Sequence, residues 1–252
     1  MIGGHGLRLS YGETTVLSDI TLQLQAGSLH ALIGANGSGK STLLRCLAGL
    51  HAASAGTLLG AAALTLHERR RQLAMLPQSL PQAPALSVEQ LALLGADAPQ
   101  RWSASKQARQ RAHEALELLD LLPLKNRLCQ QLSGGEYRRA CLAACFAQGS
   151  PWLLLDEPCA GLDLPHCAEL MAGLKAWLGV DPRRGALVVM HDLNLAAQWA
   201  DRCLLLGEQS LLANDETDSV LAGDALEHAF GGALQRFRHP QADHLVLLGV
   251  SP

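Results

Sequence analysis

One segment limits what this chain can fold into more than any other: residues 34–42, GANGSGKST, preceded by the apolar run HALI and followed by the helical pattern STLLRCLAGL. A short, mostly apolar run of this kind makes a buried strand. Gly34 turns the chain out of it, and Gly34, Gly37 and Gly39 keep side chains away from the backbone. The N–H groups of the loop, with Ala35, Asn36 and Ser38 between the glycines, can then surround phosphate oxygens at a helix N-terminus that adds partial positive charge. The spacing GxxxxGK(S/T) is met by Gly34, Gly39, Lys40 and Ser41, with Thr42 next. Lys40 is predicted to reach the β- and γ-phosphates of a nucleotide as a mobile point charge, and the Ser41 hydroxyl to ligate magnesium.

Two further apolar runs end in chemistry. Residues 152–155, WLLL, begin after Pro151 and lead into Asp156 and Glu157, with Pro158 stopping the segment, while residues 186–190 end at His191. In open parallel sheets ligands bind outside the carboxyl ends of the strands, so these three ends are predicted to share one crevice. There Asp156 would hold the magnesium, directly or through water, Glu157 would polarise an attacking water, and His191 would contact the γ-phosphate. Alone, an Asp-Glu pair after a strand reads as a helix cap and a single histidine as structural. The ordered set makes those readings minor.

Residues 132–136, LSGGE, supply a different kind of signal. Ser133 followed by Glu136 is a capping box, and YRRACLAACFA after it fits a helix. Gly134 and Gly135 leave backbone N–H groups open at that helix start, a second anion site. One chain does not need two such sites for one nucleotide, so the second is expected to close over ATP held by another copy.

With the phosphate loop, LSGGE and WLLLDE in this order, the chain resembles the ATP-binding cassette (ABC) ATPases over nearly its whole length. The resemblance implies an α/β fold: a P-loop NTPase (RecA-like) core with an N-terminal antiparallel β subdomain and an inserted α-helical subdomain. Residues 1–76 and 150–207 would form the β subdomain and nucleotide core, 77–149 the helical signature subdomain and 208–252 a short tail, all within one cassette of 1–252. It also implies that Tyr11 stacks on adenine, although an ordinary strand tyrosine is a serious competing reading. Gln78 would join the catalytic site to the helical subdomain and sense magnesium or water, and AGLD, residues 160–163, would cross the interface of a head-to-tail dimer. ATP and Mg2+ are the implied cofactors. The implied partners are a second copy, integral membrane permease subunits docking near Gln78 and, indirectly, a periplasmic or extracellular substrate-binding protein. One departure stands out, since Arg138 occupies a position where the family often has glutamine.

Composition narrows the setting. No uninterrupted apolar stretch reaches the roughly 18 residues of a membrane span, and the N-terminus lacks the charged start, apolar centre and cleavage site of a secretory signal. A peripheral protein on the cytoplasmic face of the inner membrane is expected. The net charge of −3 and an aromatic content of 4% argue against nucleic acid as a partner. Seven cysteines without a CxxC indicate neither a zinc site nor a disulfide framework. Cys141 and Cys145 are expected as core residues of the signature helix, and Cys159 lies beside the catalytic pair. Residues 103–122 read as an amphipathic helix whose Lys106, Arg109 and Arg111 form a solvated face. The tail and HDLNLAAQWADR resemble ATPases of iron-siderophore, haem and cobalamin importers. Zinc or manganese import, a soluble non-transport cassette and a small-molecule kinase are the competing readings.

Overall fold

The computed structural model describes residues 1–96, 105–242 and 244–249. It opens with β1 (Ile2–Tyr11) and β2 (Thr14–Leu24), an antiparallel pair. Leu7 and Leu9 of β1 and Ile20, Leu22 and Leu24 of β2 are buried in a period-two alternation, and Leu17 joins the same core across a break in β2 at Asp19, whose φ is 55°. Next comes β3 (Leu29–Gly34), buried at every position, then α1 (Lys40–Ala48) and β4 (Ala55–Gly60). The last returns to β1 and completes a three-stranded antiparallel sheet in the order β2-β1-β4.

After α2 (Leu66–Gln72), started by a Thr65–Glu68 capping box, β5 (Leu73–Leu76) leads into a helical insertion. Its helices are α3 (Val88–Ala96), α4 (Lys106–Leu118) and α5 (Gly134–Ala147). Of the helix expected over 103–122, residues 103 and 104 lie outside the described residues. Ser105 caps α4, and Asp120, at φ 51°, takes the left-handed conformation that ends it before residue 122. The core then resumes with β6 (Trp152–Asp156), α6 (Leu164–Val180), β7 (Gly185–Val189), α7 (Leu193–Trp199) and β8 (Arg202–Gly207).

These strands form a six-stranded sheet in the order β5-β6-β7-β3-β8-β9, where β9 is Ser210–Glu216. All its pairs are parallel except β8 with β9. Successive residues point to opposite faces. Leu153, Leu155, Ala186 and Val188 enter one core with α3 to α6, while Leu154, Leu187 and Val189 enter a second core with α1 and the antiparallel sheet. Coverage of both faces is why β3, β6 and β7 read as continuous apolar runs.

The residues from 208 onward do more than trail from the core. β9 is the edge strand of the main sheet, and α8 (Thr217–Ala222) and α9 (Ala225–Phe230) follow it. A hairpin of β10 (Leu234–Arg238) and β11 (Leu245–Gly249) ends the described chain. The Asn194 side chain of α7 accepts from Leu247 N at 2.7 Å and donates to its carbonyl at 3.1 Å, holding the hairpin against α7. β9 escaped the sequence because a half-exposed edge strand, SLLANDE, carries no apolar run.

The helical insertion is held by close packing of α3 on α5. A Cβ at Gly95 would overlap the Ala144 carbonyl oxygen, so only glycine permits this approach. Gly95→Val is expected to lower stability to urea by about 1–3 kcal/mol, the usual cost of overpacking; an unchanged midpoint would contradict the contact.

Candidate functional site

The carboxyl ends of β3, β6 and β7 lie side by side, because Leu32 is in register with Val189 and Val189 with Asp156. The predicted crevice is therefore built by the parallel sheet itself. At its centre Gly34, at φ 149°, passes so near Leu206 that a Cβ would strike that residue's carbonyl oxygen. Gly39 caps α1 at φ 93° with no side-chain hydrogen bond to the first turn. The N–H groups there stay open to an anion.

Lys40 folds back over this loop, donating to the carbonyl oxygens of Gly34 and Ala35 at 2.8 Å each. Burial pushes its ammonium below the usual lysine range, opposed by the nearby carboxylates of Glu157 and Asp156. The Ser41 hydroxyl donates to Asp156 Oδ1 at 3.1 Å. Asp156 is fully buried, and burial raises its pKa, while the Ser41 hydrogen bond acts against the rise. Its Oδ2 and the Ser38 hydroxyl are buried without a hydrogen-bond partner. Orphaned polar atoms at a phosphate loop are unusual unless a ligand satisfies them. Two hard oxygen donors, Ser41 and Asp156, suit a magnesium ion that keeps phosphates and water for its other ligands.

Glu157 follows Asp156 with φ 51°, a left-handed conformation that costs a non-glycine residue about 1–3 kcal/mol. The turn swings its carboxylate to His191, whose Nε2 lies 2.5 Å from Oε1. Glu157 and His191 are thus brought together, as are Lys40, Ser41 and Asp156. Gln78 is exposed on the loop after β5. Its side chain makes no hydrogen bond to Ser41 or Asp156; its place is fixed by its carbonyl, which accepts from Arg138 at 2.8 Å. Tyr11 ends β1, half exposed, with its ring tilted against His51 at a centroid distance of 4.5 Å. The sequence carries no signal for His51. Arg45, whose charge favours ionised Asp156, lies one helical turn after Ser41, a spacing that could have revealed it.

The start of α5 has the predicted reciprocal cap. Ser133 N donates to Glu136 Oε2 at 2.7 Å and the Ser133 hydroxyl accepts from Glu136 N at 3.3 Å. These bonds hold the Glu136 carboxyl below its usual range. Residues 133–139 and 160–163, with Leu80, Pro81, Ala83 and His166, line a cleft of about 770 Å³. Lys40, Ser41 and Asp156 do not line it. A smaller cavity, of about 160 Å³, lies behind Glu157 and His191 and includes Cys159. Cys141 and Cys145 pack partly buried against the main core, and all seven cysteines are free thiols.

The sequence and the fold both have relatives among known proteins. Residues 17–160 match the ABC transporter family. The chain is 39% identical to the hemin import ATP-binding protein HmuV of Bordetella parapertussis, over 93% of each chain. It is 34% identical to the probable siderophore transport system ATP-binding protein YusV of Bacillus subtilis, over 93% of this chain and 87% of that one. Among solved structures, an inward-facing metal-chelate type ABC transporter superposes with a TM-score of 0.84 at 24% identity, over 99% of this chain and 97% of that one, a likeness of fold. A bacterial ABC transporter cassette solved as a dimer superposes with a TM-score of 0.76 at 26% identity, over 86% of this chain and 99% of that one. With a phosphate loop, a capped LSGGE helix and an Asp-Glu strand end on one cassette fold, the chain belongs to the ABC transporter family as an ATP-hydrolysing subunit.

Proposed function

We propose that this ATPase powers uptake of a metal chelate, an iron-siderophore, haem or cobalamin, through a separate membrane permease. Two copies would dimerise head to tail, each ATP lying between the phosphate loop of one and the LSGGE helix of the other. The observation that carries the dimeric reading is the separation of the two anion sites: the cleft at Ser133 excludes Lys40, Ser41 and Asp156 of the same chain. The substrate class rests on relatives named for hemin and siderophore import. The permease and an external binding protein would make the contacts that choose among haem, siderophore and cobalamin. Among the described residues no helix is long and apolar enough to cross a membrane. We place the protein at the cytoplasmic face of the inner membrane, attached through that permease. We also assign residues 77–149 as the helical signature subdomain, set into the β subdomain and nucleotide core of 1–76 and 150–207.

Each residue has a role set by its position. Tyr11 stacks on the base, and the N–H groups of residues 34–42 surround the phosphates. Lys40 exchanges its carbonyl partners for β- and γ-phosphate oxygens. Ser41 and Asp156 would hold magnesium, with the Gln78 side chain turning toward it; the ion, when bound, would neutralise phosphate charge. Glu157 accepts a hydrogen bond from the attacking water and orients it in line with the leaving oxygen. His191 holds the Glu157 carboxylate and turns to the γ-phosphate. Ser133, Gly134 and Gly135 of the partner copy offer hydroxyl and N–H donors to the same phosphate, with Glu136 keeping that helix start in shape. Loss of the γ-phosphate removes the anion shared by both copies and lets the dimer open.

Glu157→Gln is expected to lower turnover by about 10²–10⁴-fold, the usual weight of a general base, while ATP still binds; turnover at the normal rate would remove Glu157 from the mechanism. Lys40→Ala should weaken ATP binding by at least about tenfold, the loss expected for a charge-assisted phosphate contact, and unaltered affinity in equilibrium binding would contradict its role. Cross-linking tagged Glu157→Gln protein with ATP in its native cell should recover a multispan permease from solubilised membranes. Recovery of soluble partners alone would make the importer reading wrong.

A further inference from the structure

Arg138 stands in the second turn of α5 and its guanidinium joins two separate segments. Nη1 donates to the Glu157 carbonyl at 2.9 Å and Nη2 to the Gln78 carbonyl at 2.8 Å. Both acceptors are backbone oxygens at the carboxyl ends of neighbouring strands, since β5 and β6 pair directly. We propose that Arg138 is a positioning residue: its fork makes the LSGGE helix, the Gln78 segment and the backbone of Glu157 move as one unit within a protomer.

Three features favour this over plain fastening of α5. The helix is already anchored without Arg138, because the neighbouring Arg139 is buried and pairs with Glu169 of α6 at 3.0 Å. Ala140, Leu142, Ala143, Phe146 and Ala147 bury the rest of its inner face. Next, the Glu157 carbonyl that Arg138 holds also accepts from Ala160 N at 3.1 Å. The two bonds close the turn that keeps Glu157 at φ 51° and aims its carboxylate at His191. Finally, the residue before Arg138 grips the same linker, Tyr137 donating its hydroxyl proton to the Pro81 carbonyl at 3.2 Å. Residues 78–81 are the point where the sheet passes into the helical insertion, so a push on the insertion reaches Glu157 through one rigid planar group.

The chemistry of the fork makes the claim specific. A guanidinium presents donors in fixed directions and can serve two acceptors at once, whereas an ammonium is a single point of charge. Glutamine, the residue pointed to by the family resemblance at this position, carries one amide group on a shorter stem and does not span both carbonyls. The inference rests on Glu157 as the group that orients water, and its test includes one readout that does not depend on turnover.

Arg138→Met, Arg138→Lys and Arg138→Gln are to be compared with wild type in steady-state ATP hydrolysis and in backbone amide exchange of residues 157–163. Arg138→Met is expected to lower kcat at least about fivefold with KM for ATP within about twofold, the pattern of a lost transition-state arrangement. Exchange over 157–163 should rise while exchange in α6 stays unchanged. Arg138→Lys should rescue neither property although it keeps the charge, and Arg138→Gln should recover at most part. Unchanged exchange in Arg138→Met would overturn the clamp, and raised exchange with unchanged kcat would overturn its bearing on Glu157. A parallel fall of kcat, KM performance and melting temperature in all three variants would mean that Arg138 only stabilises the fold. A wild-type protein without ATPase activity would sink the functional reading, and the exchange result alone would then decide the clamp.

Discussion

The arrangement depends on burying a lysine and an aspartate together at the carboxyl edge of an apolar sheet. Lys40 and Asp156 are each more than nine-tenths buried, and desolvation works against the charged form of both. Two buried charges persist when each finds the other and its remaining polar atoms are satisfied. Here the carboxylates of Glu157 and Asp156 favour the Lys40 ammonium, two loop carbonyls accept hydrogen bonds from it, and the Ser41 hydroxyl donates to one oxygen of Asp156. What stays unsatisfied, Asp156 Oδ2 and the Ser38 hydroxyl, lies where phosphate and its metal ion would arrive. The apolar strands below are rigid because both of their faces are covered, and that rigidity fixes three strand ends within reach of one another.

Much of this was legible in the sequence for a simple reason: parallel strands covered on both faces must be apolar at every residue, so HALI, WLLL and the run before His191 announce themselves and their ends. The capping box was equally plain, since Ser133 and Glu136 encode a local geometry that needs no tertiary context. The places where reading stopped are those where position depends on partners far along the chain. β9 is an edge strand with a mixed pattern, and its pairing with β8 decides its identity. Gln78 was assigned by motif, but its side chain stays outside hydrogen-bond reach of Ser41 and Asp156, because its loop is held through its carbonyl. His51 meets Tyr11 only through the fold. Arg138 was visible as a departure from the family and became interpretable once its two acceptors, 79 residues apart in sequence at Gln78 and Glu157, were seen together.

The helical insertion separates the open start of α5 from the phosphate loop, so the cleft at Ser133 is lined without Lys40, Ser41 or Asp156. α3 and α5 pack at glycine distance, and α5 projects its capped, open start into a cleft shared with residues 160–163. The cleft is completed by loops that leave β5 and β6, so its walls answer to the same strand ends that hold Asp156 and Glu157. The Arg138 side chain bridges the two, donating from α5 to the carbonyls of Gln78 and Glu157.

The central claim is that a catalytic site is completed by a second copy of the chain. It is tested most directly by mixing two inactive variants, Ser133→Arg and Glu157→Gln, and measuring ATP hydrolysis. In a head-to-tail dimer of one of each, the intact Glu157 of the first faces the intact Ser133 helix of the second, so one site is whole. The account predicts that hydrolysis, absent from either variant alone, returns in the mixture. A mixture as inactive as its components would contradict a shared site and place both surfaces in the service of a single chain.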